Sequence, residues 1–304
     1  MTAPPGSAHR AAAVLAITSN KGGVGKTTLA TNLAVYFRAL FEELPVLLIG
    51  LDDQRVIDRM FALRALEPGQ GHLKHGWAER CLDRVMQLGQ YGVYYVPSPP
   101  DTALLKVRAS DPTVLRHILE RTHWNGLVLL DTKSDLEALT LNALTAADRI
   151  LIPISDRSAL DEADKTFTLL ERERIPRQSA RVVLTLVDVR SRMANEEQRT
   201  VEFIEAEVRR RGWLRYRTAI SRSPRVEALN SGSERPLSIL HHAAGTSVHR
   251  QLRDLALEIA QDLHLGGAAR RTPGVRESEP LPGTPARSSV GELGRAVLRS
   301  LWRG

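Results

Sequence analysis

The sequence predicts an α/β fold: a doubly wound, mostly parallel sheet with helices on both faces. Three observations predict it. Short, almost wholly apolar segments alternate with segments whose apolar residues recur at helical spacing, the pattern of strands buried on both faces by crossover helices. A glycine-rich run, Thr18-Ser19-Asn20-Lys21-Gly22-Gly23-Val24-Gly25-Lys26-Thr27-Thr28, separates the first strand segment from the first helical one, at the carboxyl end of a strand where such sheets hold ligands. The chain's 304 residues, 42% hydrophobic and 25% charged, suffice for one such domain with appendages.

Taken in order, residues 12–18 form a short apolar strand, and 28–40 carry Leu29, Leu33, Tyr36, Phe37 and Leu40 at helical spacing. Residues 45–51 read as a second strand and 54–66 as a helix. A glycine-rich stretch, 67–76, precedes an amphipathic segment, 77–88. A strand at 92–96 and a helix at 112–121 follow. Leu127-Val128-Leu129-Leu130 is a buried strand ended by Asp131, then 136–146 is helical, 149–154 a strand, 159–172 a helix and 182–187 a strand. Helices at 196–211 and 248–263 complete the body. The expected organisation is a disordered N-terminus (1–11), one domain (12–264), a Gly-, Ala-, Pro- and Arg-rich linker (265–287) and an amphipathic C-terminal helix (288–304).

A formal charge of +7 and a pI near 9.9 point to a polyanionic partner, nucleic acid or an anionic membrane surface. The lone Cys81 excludes an intrachain disulfide and an iron–sulfur cluster held by one chain's thiolates, and suits a reducing cytosol. Residues 1–10 lack the apolar core of a secretory signal, and no apolar run approaches the roughly 20 residues that span a bilayer. His241 and His242 show no metal-ligand spacing with Cys or Glu.

The glycine-rich run has the composition of a polyphosphate cradle. Gly22, Gly23 and Gly25 keep side chains away, so backbone N–H groups around Val24 can turn inward. Lys26 adds a point charge, Thr27 a hydroxyl for Mg²⁺, and the helix that starts beside Thr28 turns its positive end toward the same anion. Five residues before Gly25, where the general Walker A pattern has glycine, stands Asn20, and beside it a second lysine, Lys21. Lys-Gly-Gly-Val-Gly-Lys-Thr-Thr resembles the deviant Walker A loop of the ParA/MinD family of ATPases. The resemblance implies a P-loop fold, ATP and Mg²⁺ as cofactors, and a homodimer in which Lys21 reaches the nucleotide of the other subunit, as an arginine finger does.

The strand ends supply the remaining chemistry that the resemblance implies. Gly50-Leu51-Asp52-Asp53-Gln54 stands where the family has Asp-x-Asp-Pro-Gln, so Asp52 matches the aspartate associated with water positioning, while Gly50 and Asp53 depart from the pattern. Asp131 takes the Walker B place beside Mg²⁺. The family usually continues with two prolines; here the run is Asp131-Thr132-Lys133-Ser134-Asp135. The likeness resumes in Thr140-Leu141-Asn142-Ala143-Leu144-Thr145-Ala146-Ala147-Asp148 and Ile150-Leu151-Ile152-Pro153. Leu184-Thr185-Leu186-Val187-Asp188 resembles the strand that approaches adenine, which places Asp188 near the base; Ile220-Ser221-Arg222 resembles a later turn.

Two segments compete as the polyanion site. Arg209, Arg210, Arg211, Arg215 and Arg217, followed by Arg222 and Arg225, lie in a run free of acidic residues and interleaved with Trp213 and Tyr216. ParA relatives bind DNA nonspecifically through such residues; a solvated helix end is the alternative. In the tail, Val290, Leu293, Val297, Leu298, Leu301 and Trp302 fall on one side of a helical wheel and Arg295, Arg299 and Arg303 on the other. The tail resembles the membrane-targeting helix of MinD in its placement after a linker. A partner protein, the chain's own body or a disordered end are the other readings. The expected function is an ATPase that dimerises on ATP, binds nucleoid DNA or the inner face of the cell membrane, positions chromosome, plasmid, protein cargo or division machinery, and is stimulated by a ParB-like or MinE-like partner. The departures at Gly50, Asp53 and Lys133 motivate the alternative, a non-hydrolysing or very slow dimerisation switch.

Overall fold

The computed structural model describes residues 13–52, 55–64, 71–99, 101, 103–187, 200–231 and 235–265. The N-terminal segment 1–11, the linker from 266 onward, the tail with Leu293, Val297, Leu298, Leu301 and Trp302, and Asp53, Gln54 and Asp188 lie outside the described residues.

Strand and helix alternate from the start: β1 (Val14–Ile17), α1 (Lys26–Leu40), β2 (Val46–Gly50), α2 (Val56–Phe61), α3 (Leu73–Glu79), β3 (Gln87–Leu88), β4 (Tyr94–Val96), α4 (Ala103–Arg108) and α5 (Val114–Arg121). Then come β5 (Leu127–Asp131), α6 (Ala138–Ala146), β6 (Arg149–Ile154), α7 (Arg157–Arg172), β7 (Ala180–Val187), α8 (Thr200–Arg210), β8 (Arg215–Ser221), α9 (Pro224–Ser231), α10 (Ile239–His242) and α11 (Ser247–Asp262). The eight strands form one sheet in the order β3-β4-β2-β5-β1-β6-β7-β8, parallel throughout except for β3 against β4. Side chains alternate along each strand, and both faces of the central strands β1, β2 and β5 are buried. Leu15 and Ile17 of β1 join the core under α1 and α11, while Val14 and Ala16 join the opposite core under α3, α5 and α6. A third core packs β6 and β7 against α7 and α8. Among the described residues no helix is long and apolar enough to cross a membrane.

Register places the site. Ile17 of β1 pairs with Asp131 of β5, which also pairs with Gly50 of β2, so three central strands end at one level. The described residues that follow them, 18–25, 51–52 and 132–137, therefore share one rim of the sheet. Thr132 locks the join by donating its N–H and its hydroxyl to the Ile17 carbonyl, at 3.2 and 3.0 Å.

Two expectations change. The amphipathic segment 77–88 is split: the helix starts earlier, at Leu73, and stops at Arg80, whose left-handed φ of 56° ends it. The chain then turns into the two-residue antiparallel strand β3. In the arginine-rich run, residues 215–221 form the edge strand β8. Its pattern is hard to see in sequence because only Tyr216 and Ile220 turn into the core, and the register with β7 slips between Arg215 and Ala219. Glu258 of α11 caps that slip, accepting from the N–H groups of Arg217 (2.7 Å) and Thr218 (3.0 Å), and Gln251 accepts from that of Ser221 at 2.9 Å. The edge is thus closed by side chains rather than left as a template for another strand.

Candidate functional site

The glycines of the 18–28 run do what their composition requires. Gly23 and Gly25 have φ of 76° and 91°, a conformation that costs an L side chain strain, and a Cβ at either would meet nothing within 4 Å. Gly25 is also the N-cap of α1 and offers no side-chain acceptor, so the first N–H groups of the helix face the loop unclaimed by a cap. Val24 is fully buried, and the Thr185 hydroxyl of β7 donates to its carbonyl at 2.9 Å, fastening the loop to the sheet.

Lys26, Thr27 and Asp131 meet beneath this loop. Lys26 is 7% exposed; its Nζ donates to Ser134 Oγ at 2.5 Å and to the Lys21 carbonyl at 3.3 Å. Burial depresses the lysine pKa, opposed by the nearby carboxylates of Asp131, Asp52 and Asp135. Burial lifts Asp131 to about 7, against the Thr27 hydroxyl bond and Lys26, with Asp52 adding to the lift. One oxygen of that carboxylate, Oδ1, is buried with no hydrogen-bond partner. An orphan anionic oxygen beside a threonine hydroxyl fits a hard cation such as Mg²⁺. Among the described residues no group of three or more His, Cys, Asp and Glu forms a cage, so phosphate and water oxygens would complete such a site.

Asp52 lies at the same rim. With Thr27, Gly50, Arg55, Ile57, Ser98 and Asp131 it lines a cavity of about 10 Å³, room for about one water. Gly50 lacks the carboxylate expected of an Asp-x-Asp pair, and its place is taken: a Cβ on Gly50 would lie 2.8 Å from Ile57 Cδ1. Asp58 of α2, 6% exposed, accepts the Ser98 N–H with both oxygens at 3.1 and 3.2 Å and so ties the Asp52 side of the rim to the end of β4.

Lys21 points away from the cradle. Its ammonium lies 2.7 and 2.6 Å from the two carboxylate oxygens of Asp156, the N-cap of α7. Burial alone would raise the Asp156 pKa, but Lys21, the Ala159 N–H and the Ser155 and Ser158 hydroxyls hold it well below the carboxylate range. Asn20 is anchored on the same helix through Glu162. Lys21, Gly22, Gly23, Asp156, Leu186, Val187 and Arg222 line a second cavity of about 370 Å³ beside the phosphate loop, at the end of β7 where the adenine approach was expected. Val187 is the last described residue before Asp188.

The arginine run is not one patch. Acidic residues neutralise part of it, from the preceding helix and from α7: Arg210 pairs with Glu207 at 2.8 Å, Arg211 with Asp164 at 3.2 Å and with Glu207, and Arg215 with Glu205 at 2.9 Å. Trp213 and Tyr216 are 6% and 5% exposed, so neither offers a stacking face to a base. Arg209 and Arg217 remain exposed; further on, exposed Arg222 pairs with Glu227 at 2.9 Å and Arg225 donates to the His242 carbonyl at 3.1 Å. Sequence reasoning passed over Asp156, Asp58 and Ser134. Asp156 alone carried a signal: a strand-end aspartate three residues before Ala159, whose N–H it accepts at 3.0 Å.

Residues 15–230 match the family described as "CobQ/CobB/MinD/ParA nucleotide binding domain". The chain is similar to the chromosome-partitioning ATPase Soj of Thermus thermophilus, 34% identical over 253 residues, covering 81% of this chain and 94% of that protein. Its fold is similar to a putative plasmid partition protein of Borrelia burgdorferi solved with AMPPNP (TM-score 0.62, 18% identity, 83% of this chain and 99% of that one). It is similar also to the MinC:MinD cell division complex of Aquifex aeolicus (TM-score 0.61, 20% identity, 89% and 98%).

Proposed function

The chain belongs to the CobQ/CobB/MinD/ParA nucleotide binding domain family, and from that premise we propose that it is an ATPase that dimerises on ATP, binds an anionic surface and partitions cargo. The observation that carries the reading is the junction of Lys26, Thr27 and Asp131 beneath the 18–25 loop, with Asp131 Oδ1 left without a partner. The loop amides around Gly22–Thr28 and Lys26 hold the phosphates. Thr27 and Asp131 would hold Mg²⁺, which neutralises phosphate charge when bound. Asp52, beside a cavity of about one water's size, orients the attacking water. Lys21 exchanges Asp156 for the partner subunit's nucleotide, so the cation acts only in the pair. Asp188 and the walls of the larger cavity take the base.

Similarity to Soj favours DNA as the surface, and Arg209 and Arg217, with Arg222 where a phosphate displaces Glu227, are the exposed cations that would meet phosphates. Membrane attachment through Leu293, Val297, Leu298, Leu301 and Trp302, or capture of a ParB-like or MinE-like stimulator, are the alternative uses of the dimer. Phosphate release measured with ATP and Mg²⁺, with and without DNA or anionic liposomes, tests the reading. Stimulation by DNA supports it, and no release in any condition overturns the ATPase.

One observation favours a second reading. Ile57 occupies the space where a first aspartate of the Asp-x-Asp pair would stand, which suits a slow or non-hydrolysing switch that dimerises on ATP. The same assay decides: phosphate release abolished by Asp52→Ala sinks the switch.

A further inference from the structure

Two buried polar side chains of α1, the helix that begins at the phosphate loop, reach the C-terminal helices through the core that α1 shares with α11. Asn32, 1% exposed, accepts the Ile239 N–H of α10 at 2.8 Å and donates to the Thr28 carbonyl at 2.9 Å. One turn further along α1, Tyr36 is fully buried, and its hydroxyl lies 2.7 Å from Nδ1 of His249 in the first turn of α11. Among the described residues that hydroxyl has no other hydrogen-bond partner.

Burial holds the Tyr36 proton well above the ordinary tyrosine range, so the hydroxyl donates and a neutral imidazole accepts at Nδ1. A protonated ring is opposed from several sides. An imidazolium has no free lone pair, and the Tyr36 hydroxyl would be left in the core without an acceptor. His249 also sits at the positive end of α11, where a cation is unfavourable. Burial, then Arg253 and Arg250, hold its pKa below the usual histidine value. These two arginines of its own helix and Tyr36 of α1 are the charged and titratable groups that face it. Of the other elements packed on α11, β8 is met by Gln251 and Glu258, while α10 turns His241 onto Tyr91 and Ser238 and leaves His242 exposed.

We propose that Tyr36 and His249 form an acid-sensitive latch that fastens α10 and the start of α11 to α1: the neutral imidazole closes it and protonation opens it. Because the folded histidine binds its proton less readily than the unfolded one, the latch contributes fully above the unfolded value of about 6.5. That contribution is lost as pH falls from there through the folded value. The opening is local. Further along α11, Glu258 is held on β8, and Asp262 accepts from Arg149 at 2.9 Å, Arg181 at 3.2 Å and Tyr216 at 3.0 Å, none of which the latch touches. Residues 239–249 are the segment that loosens, and with it goes the Ile239 bond to Asn32, whose other bond is to Thr28 at the end of the phosphate loop.

The test is hydrogen exchange of the full chain, followed by mass spectrometry at about pH 7.5 and about pH 5.5, on either side of the free histidine value, and corrected for the intrinsic rate at each pH. Wild type, His249→Gln and Tyr36→Phe are compared, with thermal unfolding as a control for folding. In wild type, acid lowers the protection of residues 239–249 about tenfold relative to α7, residues 157–172. In His249→Gln, which cannot ionise there, the two segments keep their ratio. Tyr36→Phe, which removes only the hydroxyl, starts with less protection at 239–249 and loses less of it in acid. Equal changes in the two segments of wild type, or a full wild-type response in His249→Gln, overturn the proposal. Should His249→Gln fail to fold, a full wild-type response in Tyr36→Phe overturns it instead.

Discussion

Asp52 and Asp58 stand six residues apart and are asked to do opposite things. Asp52, half-buried beside the small cavity, is the group we propose orients a water toward phosphate. Asp52→Ala is expected to lower phosphate release about a hundredfold while nucleotide affinity holds, read by single-turnover release and by titration. Asp58 is structural. Burial raises its pKa, partly offset by the Ser98 N–H and hydroxyl and by Arg55. A carboxyl whose folded pKa is raised contributes stability below the unfolded value of about 3.9 that is lost as pH rises through the folded value. The wild-type Tm therefore falls over that window by more than that of Asp58→Asn, which cannot ionise; parallel pH profiles for the two proteins would refute this. At this scale Lys26, Thr27, Asp52 and Asp131 were legible in the sequence, because phosphate chemistry dictates residue types at strand ends. Asp58, Ser98 and Ser134 were not, since their partners lie 40, 40 and 108 positions away along the chain.

At the scale of elements, the fit between β2 and α2 decides how the Asp52 rim is shaped. Gly50 and Ile57 share one volume, with Ile57 Cδ1 2.8 Å from where a Gly50 Cβ would lie. Gly50→Ala should cost about 1–3 kcal/mol by overpacking, and less when Ile57→Val removes Cδ1. A double-mutant cycle by urea unfolding is expected to show a coupling of about 0.5–3 kcal/mol; additive effects would show that the two do not share that volume. The helices and central strands were readable because each strand is an apolar run and each long helix keeps its period. The edge strand β8 was not, because its arginines and its register slip hide the two residues, Tyr216 and Ile220, that it buries.

On the scale of the whole molecule, the run of arginines is drawn along that edge. Arg215 begins β8 and Ser221 ends it, so Arg209–Arg215 and Arg222 stand at opposite rims, about 20 Å apart at 3.3 Å per residue. Only Arg222 shares the rim and the cavity of Lys21. Nonspecific DNA binding is therefore expected to weaken in Arg217→Glu/Arg222→Glu and to fall steeply between about 50 and 200 mM salt, measured by anisotropy. Binding that ignores salt would exclude a phosphate-driven mode. Lys21 belongs to the same scale. Lys21→Ala should bind ATP yet lose the ATP-dependent dimer, followed by light scattering on a sizing column, since its ammonium now sits on Asp156 and not on its own phosphate cradle.

The sequence by itself determined the α/β class, the phosphate loop and the strand-end carboxylates, because these follow from local composition, period and the chemistry of a phosphate site. It determined too that the chain is basic and has one cysteine. Only the tertiary structure decided which charges cancel and which neighbours share a volume. Asp164 reaches the arginine run from α7, Asp156 holds Lys21, Ser134 holds Lys26 and Ile57 fills the space at Gly50. The first three are contacts between segments that only the packing of the sheet and its helices brings together, and no local pattern encodes such a contact.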